Sequence, residues 1–179
     1  MKKTALLVID VQSGLFGGMD AIYGEKDLIG TINELIEKAR RSDVPIFWIQ
    51  HCEAEEGSPL HPDSKGWQIH PELSKKAEDI YVRKSHPDSF QDTMLGEELS
   101  SRDIEKLTVT GLQTEYCIDT TCRRAYSLGY EVILIEDGHS TYDGENLSAE
   151  QIIRHHNQVL GSWFVTLENS AGISFAAGR

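Results

Sequence analysis

The chain has 179 residues, 39% of them hydrophobic and 26% charged, which suits one folded domain with a substantial core and is too apolar for disorder. Its formal charge is −12 and its pI about 4.9. That balance argues against nucleic acid or a membrane surface as the main partner, because neutralising phosphate takes Lys and Arg.

The opening stretch "MKKTALLVIDVQ" begins like a secretory leader, but the apolar run Ala5–Ile9 is short and Asp10 interrupts it. No apolar stretch approaches the roughly 18 residues that a spanning helix needs. Three cysteines, an odd number, do not suggest a disulfide framework. The expected compartment is the cytoplasm.

In chain order, Thr4 to Asp10 reads as a buried strand, followed by a helix from Lys26 to Arg41 with Leu28, Ile32, Leu35, Ile36 and Ala39 at helical spacing. "VPIFWIQ" (Val44 to Gln50) is a second buried strand. The Gly-, Pro- and Ser-rich stretch "HCEAEEGSPLHPDSKGWQIHPEL" is expected to be an excursion at the sheet's edge. "DIYVRK" is a third strand, a helix is expected near Thr93 to Ser101, and "KLTVTGL" is a fourth strand. A helix after Glu115 leads to "EVILIED", a turn is expected at "GHSTYDGEN", and a helix from Ala149 to Leu160 precedes a last strand, "WFVTL".

Apolar strands alternating with helices predict a doubly wound, mainly parallel sheet of about six strands in a three-layer α/β/α domain, residues 1–179 forming a single unit. Right-handed crossovers bring all strand carboxyl ends to one edge, and ligands bind beyond it. The residues to search are therefore Asp10, Gln50 to Cys52, Lys84, the Gly111 to Cys117 turn, and Asp137 to Tyr142.

Cys117 lies where a strand ends and a helix begins. A helix amino terminus favours a thiolate and offers free N–H groups to a bound anion, so a lowered thiol pKa and fast alkylation at mildly acidic pH are expected. The plain alternative is a buried, inert thiol. Asp10 is either a turn or cap residue or an acid able to exchange a proton with that thiol. Lys84, directly after an apolar strand, is either solvated or a buried ammonium that favours both anions.

Three blocks extend this reading. "LLVIDVQSGLF", "VRKSHPDSFQDTML" and "TGLQTEYCIDTTCRRAYSLGYEVILIEDGHSTYD" resemble the motifs of the isochorismatase-like cysteine hydrolases, which include the nicotinamidases, in the same order and out to Asp143. The resemblance implies a Rossmann-like fold and a triad of Asp10, Lys84 and Cys117. It also implies a cis peptide between Leu112 and Gln113, an oxyanion hole from the backbone N–H groups of Gln113 and Cys117, and no cofactor. The implied reaction is hydrolysis of a small-molecule amide through a thioester. A homo-oligomer, dimer or larger, is also expected, with the tail "ENSAGISFAAGR" available for docking on a neighbour.

The nicotinamidase Asp-x-His metal motif is not met: the segment reads Gln50-His51-Cys52-Glu53. No metal is expected, although His51, His61 and His70 leave another arrangement open. Gln12, Phe16 and Tyr116 are expected to wall the pocket, and Trp67 to close it as a lid or else to pack in the core. The alternatives kept beside the amidase are a metal-assisted nicotinamidase, a silent binding module on the same fold, and a redox protein pairing Cys117 with Cys122.

Overall fold

The computed structural model describes residues 2–18 and 21–175. In chain order the elements are β1 (Lys3–Ile9), α1 (Glu25–Arg41), β2 (Ile46–His51), β3 (Ile80–Lys84), α2 (Leu95–Ser100) and β4 (Ile104–Leu112). A π-helical turn (Thr114–Ile118) runs into α3 (Asp119–Ser127), followed by β5 (Glu131–Ser140), α4 (Ala149–Gly161) and β6 (Thr166–Glu168). Alternation along β1 builds two cores. Leu6 and Val8 face α1, whose Leu28, Ile32, Leu35 and Ile36 are buried there, while Ala5, Leu7 and Ile9 face Leu95 and Leu99 of α2, Ala125 of α3 and Leu160 of α4. Each such side chain contributes on the order of 1.5–3 kcal/mol when fully buried.

The six strands are all parallel, in the order β3-β2-β1-β4-β5-β6. The chain winds one way from β1 to β3 and the other way from β4 to β6. The gap between β1 and β4 is thus the topological switch point, where a crevice opens beyond the strand ends.

The structure departs from the sequence reading in three places. The last strand begins at Thr166 rather than Trp163. The N–H groups of Trp163, Phe164 and Val165 all bond Leu160 O, so that segment closes α4 instead of pairing. Trp163 is 72% exposed as a result. Gly138, His139 and Ser140 extend β5 rather than forming a turn, because the register shifts between Val109 and Gly111 and lets β5 follow the end of β4. In the tail, Ile173 and Phe175 are buried in the chain's own core and are not free to dock elsewhere; residues 176–179 lie outside the described residues. Among the described residues no helix is long and apolar enough to cross a membrane.

Candidate active site

Asp10 follows the last residue of β1 and is almost fully buried. Its N–H bonds Ile49 O at 2.9 Å, and its φ of 54° is left-handed, a conformation that Asp tolerates better than most side chains. The chain therefore turns at the switch point and leaves the carboxylate beneath the crevice. Across from it, Gly111 runs so close to β1 that a Cβ there would lie 2.1 Å from Ile9 O. Only glycine lets β4 reach the Leu112–Gln113 bond, which is cis. The π-helical turn that follows carries Cys117; the α-helix itself starts two residues later, at Asp119.

Lys84 ends β3, and its ammonium joins the other two groups. Nζ lies 2.6 Å from Asp10 Oδ2 and 3.1 Å from Cys117 Sγ. It also donates to His86 O at 3.1 Å and approaches His51 Nδ1 at 3.3 Å. Residues 10, 84 and 117, far apart in sequence, thus meet at one nitrogen. Asp10 Oδ1 is buried without a hydrogen-bond partner among the described residues.

The electrostatics differ from the expected thiolate. Burial and, next, the Asp10 carboxylate push the Cys117 thiol up to about 12, outweighing Lys84 and any benefit of the helical turn. At rest the sulfur keeps its proton. Burial works against the Lys84 charge, but Asp10 and Cys117 more than offset it and hold Lys84 above the ordinary lysine range. His51 is lowered, by burial first and the Lys84 charge second, so its ring is neutral at pH 7.

The turn bearing Cys117 is tied down by a residue that the sequence places among the strand-end candidates but gives no role of its own. His139, 3% exposed on β5, bonds Thr114 Oγ1 through Nδ1 and Asn157 Oδ1 through Nε2, both at 2.8 Å. Asn157 Nδ2 donates to Glu136 O at 3.1 Å, which fixes its Oδ1 as the acceptor and hence His139 Nε2 as the donor. His139 Nδ1 then accepts from the Thr114 hydroxyl. Burial pushes His139 down to about 4, which keeps the ring neutral and the arrangement intact near pH 7. Asn157 is held in turn by α4, whose start carries a Ser148–Gln151 capping box.

A cavity of about 220 Å³ opens over the sulfur. Asp10, His51, Gln113 and Cys117 supply its polar wall, Leu15, Leu60 and Pro87 its apolar wall, and Glu53 and Tyr116 its exposed lining. Three residues expected at the pocket do not line it. Gln12 is fully buried and clamps the excursion instead: its Oε1 accepts from His51 N–H at 2.8 Å, and its Nε2 donates to His51 O and Trp67 O. Phe16 packs on His70, with ring centroids 4.7 Å apart. Trp67 is no lid; it is buried, with Nε1 on Cys52 Sγ and Arg83 over its ring. The residues overlooked were Leu15, His51 as a Lys84 partner, Glu53, Leu60 and Pro87. His51, Glu53 and Pro87 are signalled only by closeness to a strand end, which many other residues share, while Leu15 and Leu60 lie well past β1 and β2 and carry no such signal.

The remaining cysteines are placed differently. Cys122 is fully buried in the core under α3, while Cys52 is the half-buried partner of Trp67. Among the described residues, no group of three or more His, Cys, Asp or Glu is placed to hold a metal ion. His51, His61 and His70 have separate partners: Lys84, Asp63 and Phe16.

A family model for the Isochorismatase domain matches residues 4–162. Streptothricin hydrolase of Streptomyces noursei is 29% identical over 97% of this chain and 71% of its own length. Ureidoacrylate amidohydrolase RutB of Klebsiella pneumoniae is 25% identical over 94% of this chain and 85% of its own. A crystal structure of an isochorismatase family protein superposes with a TM-score of 0.89 at 34% identity, covering 94% of this chain and 99% of the other. The domain match spans the crevice strands from β1 to β5 and the helix that braces the cysteine turn, and the chain belongs to the isochorismatase family of hydrolases.

Proposed function

We propose that the protein is a cysteine amidase that cleaves the C–N bond of a small-molecule amide. The observation that carries this reading is the Lys84 ammonium set between Asp10 Oδ2 and Cys117 Sγ at the floor of a cavity. Kinship with enzymes named as a hydrolase and an amidohydrolase supports the bond type.

With the thiol raised and the Asp10 carboxylate paired to Lys84 beside it, attack begins by proton transfer. Asp10 takes the Cys117 proton as Sγ bonds to the substrate carbonyl carbon, so the thiolate forms only as it is consumed. The carbonyl electron pair moves to oxygen. The backbone N–H groups of Gln113 and Cys117 are assigned to hold that oxyanion, at about 2.7–4 kcal/mol for each such donor. When the pair returns, the C–N bond breaks, and Asp10 gives its proton to the leaving nitrogen as ammonia or an amine. The thioester left on Cys117 is hydrolysed by water, from which Asp10 removes a proton and returns it to the sulfur. Lys84 keeps its charge throughout, holding both partners in register. No step calls on a cofactor. The cavity lies below the roughly 300–1,000 Å³ usual for small-molecule sites, so the part enclosed around the scissile bond is small.

The test is ammonia or amine release over a panel of small amides, carbamoyl compounds and lactams, comparing wild type with Cys117→Ala. Turnover is expected in wild type and absent in the variant, with an acyl adduct on Cys117 detectable by intact mass. Turnover that survives Cys117→Ala, or none on a broad panel, overturns the assignment.

A further inference from the structure

The charges lining the cavity do not balance. Asp10 and Lys84 cancel as an ion pair, the Cys117 thiol is protonated and His51 is neutral. Glu53 then remains as the unmatched charge among the described lining residues. It is close enough to His51 to affect its titration, and Ser58 Oγ donates to its Oε2, which holds the carboxylate against the wall.

Lys84 offers nothing to an anionic ligand. An ammonium has three N–H bonds, while Nζ already has Asp10 Oδ2, Cys117 Sγ, His51 Nδ1 and His86 O within 3.3 Å. Among the described residues, no Lys or Arg lines the cavity. A substrate carboxylate would therefore enter next to Glu53 with no cation to receive it. A cationic group would meet the Glu53 carboxylate and the half-exposed ring of Tyr116, whose face also attracts cations.

We infer that Glu53 sets the charge preference of this site, and that its substrates are small amides carrying a cationic group, with carboxylate-bearing amides disfavoured. The choice of amides rests on the amidase reading above; the sign of the wall does not. Because Glu53 is exposed, the effect is modest and salt-dependent, about threefold to tenfold between opposite ligand charges near physiological ionic strength.

Two measurements separate the inference from the reading beneath it. The first compares labelling of Cys117 by methanethiosulfonates carrying an ammonium, no charge or a sulfonate, resolved peptide by peptide from Cys52 and Cys122. In wild type the ammonium reagent should react faster than the sulfonate after correction by the neutral one. Glu53→Gln should bring that ratio close to one and Glu53→Lys invert it, while Glu56→Gln, the same charge change on a residue outside the lining, should move it less. The second compares kcat/KM for matched amides differing only in an ammonium, hydroxyl or carboxylate end. The order ammonium, hydroxyl, carboxylate is expected, with the spread collapsing in Glu53→Gln. A labelling ratio insensitive to Glu53 alongside Cys117-dependent turnover refutes the inference and leaves the amidase standing. A Glu53-dependent ratio with no amide turned over supports the charge assignment and counts against the amidase.

Discussion

Replacing Asp10 with Asn should change the two activities of Cys117 in opposite directions. The substitution keeps the shape of the side chain but removes its charge and its ability to take a proton. Asp10 Oδ2 and Cys117 Sγ lie 2.6 Å and 3.1 Å from the same Lys84 nitrogen, so they are at most about 6 Å apart. Two unit charges at about 6 Å in an effective dielectric of about 20 interact by about 3 kcal/mol, or about two pKa units. The carboxylate raises the thiol pKa, so its removal lowers it, and Lys84 is left facing the sulfur. At pH 7 the thiolate fraction, and with it alkylation by iodoacetamide, should rise about tenfold to 100-fold. Amide turnover should fall by at least about 100-fold, because no group remains to carry the proton to the leaving nitrogen. The assay is peptide-resolved alkylation of Cys117 between pH 6 and 11, run beside product release, with circular dichroism to confirm that the variant is folded. Wild type should still be gaining reactivity above pH 10, where an ordinary thiol has levelled off. A folded Asp10→Asn that alkylates no faster than wild type would mean that Asp10 does not govern the thiol, and the proton-shuttle argument would fail.

Two further outcomes follow from the elements around the site. His139 titrates at about 4 when folded against about 6.5 unfolded, so the unfolded chain gains a proton first as pH falls. Its contribution is fully present above pH 6.5 and is lost towards pH 4, about 3 kcal/mol in all; urea unfolding at pH 7.5, 5.5 and 4.5 should show a shallower pH dependence in His139→Gln. Gly111→Ala should destabilise the fold by more than about 3 kcal/mol or prevent its recovery, since φ is +124° and the new Cβ would meet Ile9 O at 2.1 Å. Gly57→Ala, with φ +90° but no atom within 4 Å, is the control and should lose about 1–2 kcal/mol in the same unfolding assay.

Much of the architecture was readable because parallel strands buried on both faces leave continuous apolar runs, and "ALLVI", "IFWI" and "VILI" are such runs. With those strands parallel, the edge rule alone brings Asp10, Lys84 and Cys117 to one side of the sheet. Local pattern cannot show how one element uses another's end. The closing strand was misplaced because the N–H groups of Trp163 to Val165 are taken by Leu160 O, a tertiary choice that β propensity does not register. Gln12 is expected at the pocket from its position after a strand, yet its amide is spent on the backbone of His51 and Trp67. Of the two roles left open for Trp67, the buried one holds, with its carbonyl accepting from Gln12 and Gln50 and its Nε1 on Cys52 Sγ.

By itself, then, the sequence determined the strand and helix order, the sheet edge at which the strand ends open, and the arrival of Asp10, Lys84 and Cys117 at that edge, since each of these is written in apolar spacing or in motifs. Only the tertiary structure decided the protonation of Cys117, the neutrality of His51 and His139, and which side chains face the cavity. Those properties depend on burial and on distances between charges from strands far apart in the chain, and a thiol's preference for its proton is set by the sum of those fields rather than by its neighbours in sequence.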